Sequence, residues 1–281
     1  MALNINTNIG ALGAAAAASS VNKSMETSME RLATGKRINA AADDAAGMAI
    51  STRFDAEIRG YNQAIRNAAD AQAMIDVGEG ALIEVTNILQ RMRELAVQAS
   101  NDTASDADRD ALDIEFQDLI DELSKIEDST TWSHTQLLDG SGGTAGAFTF
   151  LIGTGHTETA ASDVLTVTFE DLTTMTGTSA ATDVDTRANA MAAIVAIDAD
   201  IVLVNAERAQ LGAKSNRLGH AIDNMTNIST NLSAAMSRTV DADFAAESTN
   251  LARTQILQQA SMAMLAQANA SKQGVLQLLQ G

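Results

Sequence analysis

The carboxylate-rich stretch "DADRDALD" (residues 106–113) is the segment whose residue types and spacing come nearest to a metal site. Asp106, Asp108 and Asp110 alternate as the first ligands of a calcium loop do. That loop also needs a glycine and a closing glutamate, where this chain has Ala111 and Gln117. We therefore expect the stretch to begin a helix, because acidic side chains in a first turn favour the helix dipole.

No other pattern in the sequence indicates catalysis or ligand binding. His134, His156 and His220 lack the spacing of metal ligands. The motifs HExxH and GxSxG and a phosphate-binding glycine loop do not occur. Without cysteine there is no thiol nucleophile, thiolate metal site or disulfide. We predict a protein that is not an enzyme, with no catalytic residue, cofactor or bound metal.

The elements of this chain are predicted to be long, slender helices. Proline is absent, so helices can run unbroken, and hydrophobic residues make up 46% of the chain but aromatic residues only 3%. Such a composition suits closely packed helices better than a thick globular core. The net charge of −18 argues against binding nucleic acid through a basic surface.

Acidic residues are concentrated in the middle of the chain. Residues 1–42 carry two acids and four bases, and residues 250–281 carry no acid and two bases, so the other 34 of the 36 acids lie between them. Both ends are apolar and acid-poor. No run of about 20 apolar residues indicates a transmembrane helix, and the N-terminus lacks the basic region of a cleaved signal peptide.

Heptad spacing of apolar residues predicts a mainly α fold. The longest seam continues for roughly 70 Å of helix at 1.5 Å per residue and is interrupted only by Arg208, Ser215 and Ser229. Its apolar members are Ala190, Ile194, Ile197, Ile201, Val204, Leu211, Leu218, Ile222, Met225, Leu232 and Met236. We predict a long antiparallel helical coiled-coil rod, with the terminal helices forming a separate inner layer.

A small β-hairpin is predicted at the far end of this rod. Apolar and polar residues alternate in "FTFLI" and again in "VLTVTF", and a polar, glycine-containing link joins them. Phe148, Phe150, Val167 and Phe169 should share the buried face.

The two apolar ends are predicted to be the polymerisation interface. Two helices cannot cover their own apolar faces, and an exposed apolar patch usually marks an interaction site. Docking of residues 255–279 on the chain's own rod is the alternative, but burial against other copies is favoured, which would give an open helical polymer. The predicted interface residues are Ala14, Ala18, Val21, Met25, Leu257, Met264, Ala268, Val275 and Leu278.

Several long motifs resemble those of bacterial flagellin. They are "INTNIGAL", "RLATGKRINAAADDAAGMAI", "LQRMRELAVQASNDT", "VNAERAQLGAKSNRL" and "DADFAAESTNLARTQILQQASMAMLAQAN". The resemblance covers about residues 1–140 and 187–281. It implies a subunit that self-polymerises into the flagellar filament. The chain departs from many flagellins in its short middle and in "NASKQGVLQLL", where many relatives have a proline.

The resemblance also implies a division into domains. Residues 1–42 with 241–281 would form the inner filament domain, residues 43–139 with 186–240 the helical rod, and residues 140–185 a short variable hairpin and loop region. Further partners are implied: an export chaperone on the C-terminal helix, the flagellar type III export apparatus, the cap and the hook-junction proteins. The protein would then be secreted without cleavage to the extracellular filament.

"LQRMRELAVQA" resembles the segment of related flagellins that a vertebrate Toll-like receptor recognises. The matching residues are Arg91, Leu95 and Glu115, of which the first two lie one helical turn apart. These residues could instead serve only filament contacts, and both roles can hold together.

Two other identities remain open at this point. A flagellin-like hook–filament junction protein would share the terminal helices but would join structures rather than polymerise indefinitely. A secreted helical effector that inserts its apolar ends into a membrane would need a stronger aromatic or basic face than these helices have. We therefore expect no membrane insertion and no nucleic-acid partner.

Overall fold

The chain is described by a computed structural model that covers residues 7–144, 146–153, 155, 163–172, 175 and 182–280, the last nine of these by their backbone only. Five helices account for most of it: α1 Ile9–Thr34, α2 Ala45–Ala99, α3 Asp106–Ser129, α4 Arg187–Val240 and α5 Phe244–Gln280. Four short strands complete it: β1 Thr131–Trp132, β2 Thr135–Gln136, β3 Ala147–Leu151 and β4 Val164–Thr168. The predicted mainly α fold with a small antiparallel hairpin is confirmed.

The chain forms two compact units. The terminal unit comprises Met1–Ala56 and Asn231–Gly281, and the central unit comprises Glu57–Thr230. The predicted domain limits at residues 42 and 241 stay a prediction; the compact units divide at different positions, within α2 and within α4.

A heptad seam holds the central unit together, as the sequence predicts. Its α4 members recur at seven-residue steps and are at most 4% exposed: Ile197, Val204, Leu211, Leu218 and Met225. They join one hydrophobic cluster with residues of α2, α3 and the hairpin. Because the period stays at seven, one face of α4 remains against its neighbours from Ile197 to Met225.

The three polar interruptions of this seam each meet a polar partner on α2. Arg208 Nη2 lies 3.6 Å from Glu79 Oε1. Gln72 Nε2 donates to Ser215 Oγ at 3.4 Å, and the side chains of Ser229 and Asn62 are 3.2 Å apart. The partner numbers fall as the α4 numbers rise, so α2 and α4 pack antiparallel. Polar pairs within a heptad seam fix its register.

The strands β3 and β4 pair antiparallel, with Phe148 opposite Val167 and Phe150 opposite Leu165. Val167 and Phe169 are buried and the two phenylalanines of β3 are partly buried against the core, so the predicted inward face is confirmed. Lys214 Nζ of α4 donates to the Thr166 carbonyl at 2.9 Å and ties β4 to the helices.

Gly78, in the middle of α2, makes room for this hairpin. A Cβ on Gly78 would overlap the ring of Phe169, which is 2% exposed and packs edge-on against Phe148 with centroids 6.0 Å apart. Gly80, two residues later, has no atom within 4 Å of an added Cβ. The two glycines therefore differ in role, although both reduce the helix propensity of α2.

The turn from α2 into α3 is held by a buried arginine. Arg109, 9% exposed, donates from Nε to the Ala99 carbonyl at 3.0 Å and from Nη2 to the Asn101 carbonyl at 3.3 Å. The Ala99 carbonyl lies at the C-terminal end of α2, where no helical N–H is left to bond it, and the Asn101 carbonyl lies in the turn that follows. Ser105 and Asp108 form a capping box at the start of α3, so the predicted helix start in "DADRDALD" is confirmed.

By length and composition alone, part of α4 could cross a membrane, since one 18-residue window has a mean hydropathy of 1.6. Packed core helices of proteins outside membranes pass the same test.

Candidate functional site

The helices α1 and α5 of the terminal unit form an antiparallel pair. Near one end Asn8 Nδ2 donates to the Ala268 carbonyl at 3.2 Å, and midway Gln258 Nε2 donates to Asn22 Oδ1 at 2.9 Å. Further along, Arg31 lies 3.9 Å from Glu247. The residue numbers rise on α1 as they fall on α5, which fixes the antiparallel register.

This pair buries very little of itself. Ser28 is the only buried residue of α1, a helix of 26 residues. A heptad stripe of small and medium side chains faces α5 and is half-buried: Ala11, Ala14, Ala18, Val21, Met25 and Leu32. Because short aliphatic side chains remove little apolar area from water, this seam alone stabilises the pair weakly.

Large apolar side chains cover the outside of the same pair. Eight are between 45% and 67% exposed: Ile9, Leu12, Met29, Phe244, Ile256, Leu257, Met262 and Met264. At about 25 cal/mol per Å² of apolar area, their burial is worth several kcal/mol in total. A surface of this kind marks a site of protein–protein association.

The predicted polymerisation residues separate into two groups in the structure. Ala14, Ala18, Val21, Met25 and Ala268 lie half-buried on the seam between α1 and α5 of one chain. Leu257 and Met264 are exposed at 45% and 65%. Val275 and Leu278 belong to α5, but their side chains lie outside the described residues. The sequence pattern did not distinguish the seam from the outer face, since both recur at helical spacing.

A polar groove interrupts the seam between α1 and α5. It has a volume of 340 Å³ and is lined by Ser24, Thr27, Ser28, Arg31, Glu247, Asn250, Arg253 and Thr254. Ser28, Glu247 and Thr254 are at most 9% exposed. Arg31 Nε is buried and has no hydrogen-bond partner among the described residues. Heptad spacing did not predict this groove, because it identifies apolar positions only.

Arg37 fixes the chain where it leaves α1. Its backbone N–H donates to the Val240 carbonyl at 2.6 Å, and its Nη2 donates to the Thr239 carbonyl at 2.7 Å. Ile38, next in the chain, is 2% exposed. The motif "GKRIN" therefore fastens the end of α1 to the end of α4 within the terminal unit.

The predicted receptor residues lie on α2 and α3 of the central unit. Arg91 Nη2 is 2.7 Å from Glu115 Oε1, and Arg91 Nη1 is 3.1 Å from Glu94. These hydrogen bonds, with Glu115 first and then Glu94, raise the pKa of the Arg91 guanidinium. Leu95 is 1% exposed and belongs to the core, so it does not share the exposed face of Arg91 as the one-turn spacing suggested.

Within the described ranges, no group of three or more His, Asp or Glu side chains is arranged to hold a metal ion. The acidic start of α3 is occupied by its own cap, since Asp108 accepts hydrogen bonds from Ser105. These bonds lower the pKa of Asp108.

The known proteins most informative for this fold and surface are flagellins. The bacterial flagellin N-terminal helical region matches residues 5–142, and the bacterial flagellin C-terminal helical region matches residues 194–279. A flagellin of Halalkalibacterium halodurans is 47% identical over 254 residues, covering 90% of this chain and 91% of that protein. Flagellin D of Vibrio anguillarum is 32% identical, in an alignment that covers 99% of this chain and 100% of that protein.

Solved structures agree with this assignment. The crystal structure of Bacillus cereus flagellin matches 61% of this chain and 94% of its own, with a TM-score of 0.50 and 34% identity. A structure described as a flagellar hook-associated protein of Vibrio parahaemolyticus matches 71% of this chain with a TM-score of 0.59, but at 14% identity it shows similarity of fold alone.

The chain therefore belongs to the bacterial flagellin family. It is a structural subunit of the bacterial flagellar filament, a homopolymer that lies outside the cell, and the alternative of a hook–filament junction protein has less support. The family is one of structural proteins rather than enzymes.

Proposed function

We propose that the α1/α5 pair is the polymerisation joint of this subunit, and that its eight exposed apolar side chains are covered by neighbouring copies. The observation that carries the proposal is the combination of one buried residue on α1 with large apolar side chains on the outside of the pair. Half-buried Ala14, Ala18, Val21, Met25 and Ala268 hold the pair together, and Leu257 and Met264 contact the next copy. Val275 and Leu278 are proposed to extend that contact.

Charged substitutions on the outer face test the joint. Leu257→Glu with Met264→Glu places two carboxylates on exposed positions, so folding of the monomer should be unchanged. Seeded elongation should fall at least about tenfold, because each buried, unpaired charge costs more than 1.4 kcal/mol. Gln267→Glu, which adds one carboxylate at another exposed position of α5, is the control. Growth of the double variant at the rate of the control would refute the proposed joint.

Truncation gives an independent test. Removing residues 257–281 takes away most of α5 and leaves every residue of the central unit in place. The thermal unfolding of the central unit should persist while filament growth on seeds is abolished. Continued growth of the truncated chain would show that the joint lies elsewhere.

We propose also that a vertebrate Toll-like receptor recognises the surface formed by Arg91 and Glu115. Leu95 would act from the core, by fixing the position of α2 beneath that surface. Arg91→Ala should reduce receptor signalling about tenfold, the effect expected for losing an interfacial arginine that contributes 1.4 kcal/mol. Arg93→Ala is the control, since Arg93 is similarly exposed on the same helix and pairs with Asp198. Equal signalling by the Arg91 variant and the wild type would remove Arg91 from the recognition surface.

The exposed face of α5 is proposed to need a cover before assembly. A flagellin export chaperone on this helix would supply it, and the flagellar type III apparatus would then secrete the chain to the cap and the hook-junction proteins. The eight exposed side chains support this step, because an uncovered apolar surface promotes premature association. If the chaperone protects α5, the Leu257/Met264 variant should bind it more weakly than the Gln267 control in a pull-down. Equal retention of both would place the chaperone site elsewhere.

A further inference from the structure

The polar groove between α1 and α5 contains arginine side chains that are not fully bonded within their own chain. Its charged lining consists of Arg31, Arg253 and Glu247, which gives one excess positive charge. Arg31 reaches Glu247 only at 3.9 Å and keeps a buried Nε without a hydrogen-bond partner. Arg253 has no hydrogen bond or ion pair among the described residues. Arg31 thus keeps a buried donor without a partner, and the exposed Arg253 keeps its donors free, in a groove whose lining includes the buried Ser28, Glu247 and Thr254.

Other side chains of the terminal unit do not fill this need. Asp43 lies within electrostatic reach of Arg31, but its carboxylate accepts the backbone N–H groups of Asn39 and Ala40, both at 3.0 Å. The hydroxyl groups of Thr27 and Thr254 donate to backbone carbonyls of their own helices. The buried Nε of Arg31 therefore has no partner within its own chain, and the exposed guanidinium of Arg253 is the donor that lies at the open side of the groove.

The α1/α5 pair carries acidic residues that have the complementary need. Glu26 and Glu30 of α1 are exposed, and no hydrogen bond or ion pair is described for either carboxylate. They lie one helical turn apart, so each raises the electrostatic energy of the other. Apart from Glu247, which is already in the groove, the sequence of the two helices contains no other acid.

Glu26 and Glu30 cannot reach the groove of their own chain. Successive residues are about 100° apart around a helix, so each lies about 160° from Ser28, which faces α5. The acidic pair therefore points away from the seam on which the groove opens. A donor site and an acceptor site that face different directions on one subunit make a heterologous contact, the kind that generates an open polymer.

We propose that the Arg31–Arg253 groove of one copy receives the Glu26–Glu30 acidic pair of a neighbouring copy in the filament. Guanidinium–carboxylate pairs are directional, so this contact would fix the register of copies that apolar side chains alone would allow to slide. The inference rests on the proposed joint and adds its polar, register-setting component.

Charge reversal on each side, and then on both, tests the contact in the full-length chain. Arg253→Glu and the pair Glu26→Arg with Glu30→Arg should each raise the critical concentration for polymerisation about tenfold, because like charges then face each other. The chain that carries all three substitutions should return to within about threefold of the wild type. Lys36→Glu, an equal charge change at an exposed position of the terminal unit, should have little effect. Helix content and melting of each monomer are measured in parallel.

The outcomes separate this inference from the proposed joint. If Leu257→Glu with Met264→Glu blocks growth while Arg253→Glu polymerises like the Lys36 control, the joint stands and the groove contact is refuted. A combined variant that polymerises no better than the single reversals also refutes it. If phosphate stabilises the wild-type monomer more than chloride at equal ionic strength, and the combined variant is not restored, the groove takes a free anion and the contact is wrong. The contact is supported if polymerisation recovers only when all three substitutions are combined in one chain.

Discussion

Glu207 of α4 offers a quantitative test of how the central unit is packed. It is 4% exposed, in a cavity lined mainly by Leu82, Leu172, Leu203 and Val204. Its Oε1 atom has no hydrogen-bond partner among the described residues.

The charges around Glu207 oppose its ionisation. Burial, and then the nearby Glu170 carboxylate, raise the pKa of Glu207 to about 7, against a weaker opposing effect of the Glu170 backbone N–H. Asp171 lines the same cavity, and the adjacent Arg208 is directed to Glu79. Among the described residues that line this cavity, none is a cation that could neutralise the carboxylate.

The magnitude follows from the difference between folded and unfolded pKa. The pKa rises from 4.5 to about 7 on folding, which corresponds to roughly 3 kcal/mol at 1.36 kcal/mol per unit. Because the folded state holds the proton more tightly, this contribution to stability is fully present below pH 4.5 and is lost as the pH rises through 7. Between about pH 5.5 and 8.5 the wild type should lose about 2 kcal/mol through this group.

Glu207→Gln removes the titration and keeps the shape of the side chain. Urea unfolding followed by circular dichroism should give a stability difference, variant minus wild type, that grows by about 2 kcal/mol from pH 5.5 to 8.5. Asp223→Asn, on an exposed part of the same helix, is the control for the loss of one carboxyl group. A difference for Glu207→Gln that does not change with pH would refute the burial of this carboxyl group.

Three further predictions concern the packing of the central unit. Gly78→Ala should lower its stability by about 1–3 kcal/mol through overlap with a buried ring, whereas Gly80→Ala should raise it by about 1 kcal/mol; thermal melts that shift in the same direction would contradict this. Ser133→Asn with His134→Gly should stabilise the β1–β2 turn by about 1 kcal/mol, because both residues have positive φ, 50° and 69°; an unchanged urea midpoint would count against it. Arg109→Leu should lower the free energy of unfolding by about 2–3 kcal/mol, and Arg109→Lys should not restore the loss. A urea stability equal to that of the wild type in either variant would exclude the proposed carbonyl contacts.

The parts of the fold set by local pattern were predictable from sequence. The seven-residue recurrence through Val204, Leu211 and Leu218 depends only on helical geometry, and the structure buries these residues. Alternation in β3 and β4 likewise identified the inward face of the hairpin, and the acidic first turn in "DADRDALD" identified the start of α3.

The parts set by contacts distant in sequence were not predictable. Leu95 shares a helical turn with Arg91, yet whether it points to the core depends on where α3 and α4 lie. The burial of Glu207 depends on the segment around Leu172 covering α4, and the role of Gly78 depends on the position of Phe169. The polar groove around Arg31 arises from the register of two helices more than 200 residues apart, which no local pattern encodes.

An electron cryomicroscopy reconstruction of the filament would test the central claim most directly. The measured quantity is the exposed fraction of the eight apolar side chains on α1 and α5, which are 45–67% exposed in the single subunit. In the filament, most of these side chains should be less than about 10% exposed through contact with other copies, as in the core of a stable interface. If these side chains keep their exposure while other surfaces join the subunits, the α1/α5 pair is not the polymerisation joint.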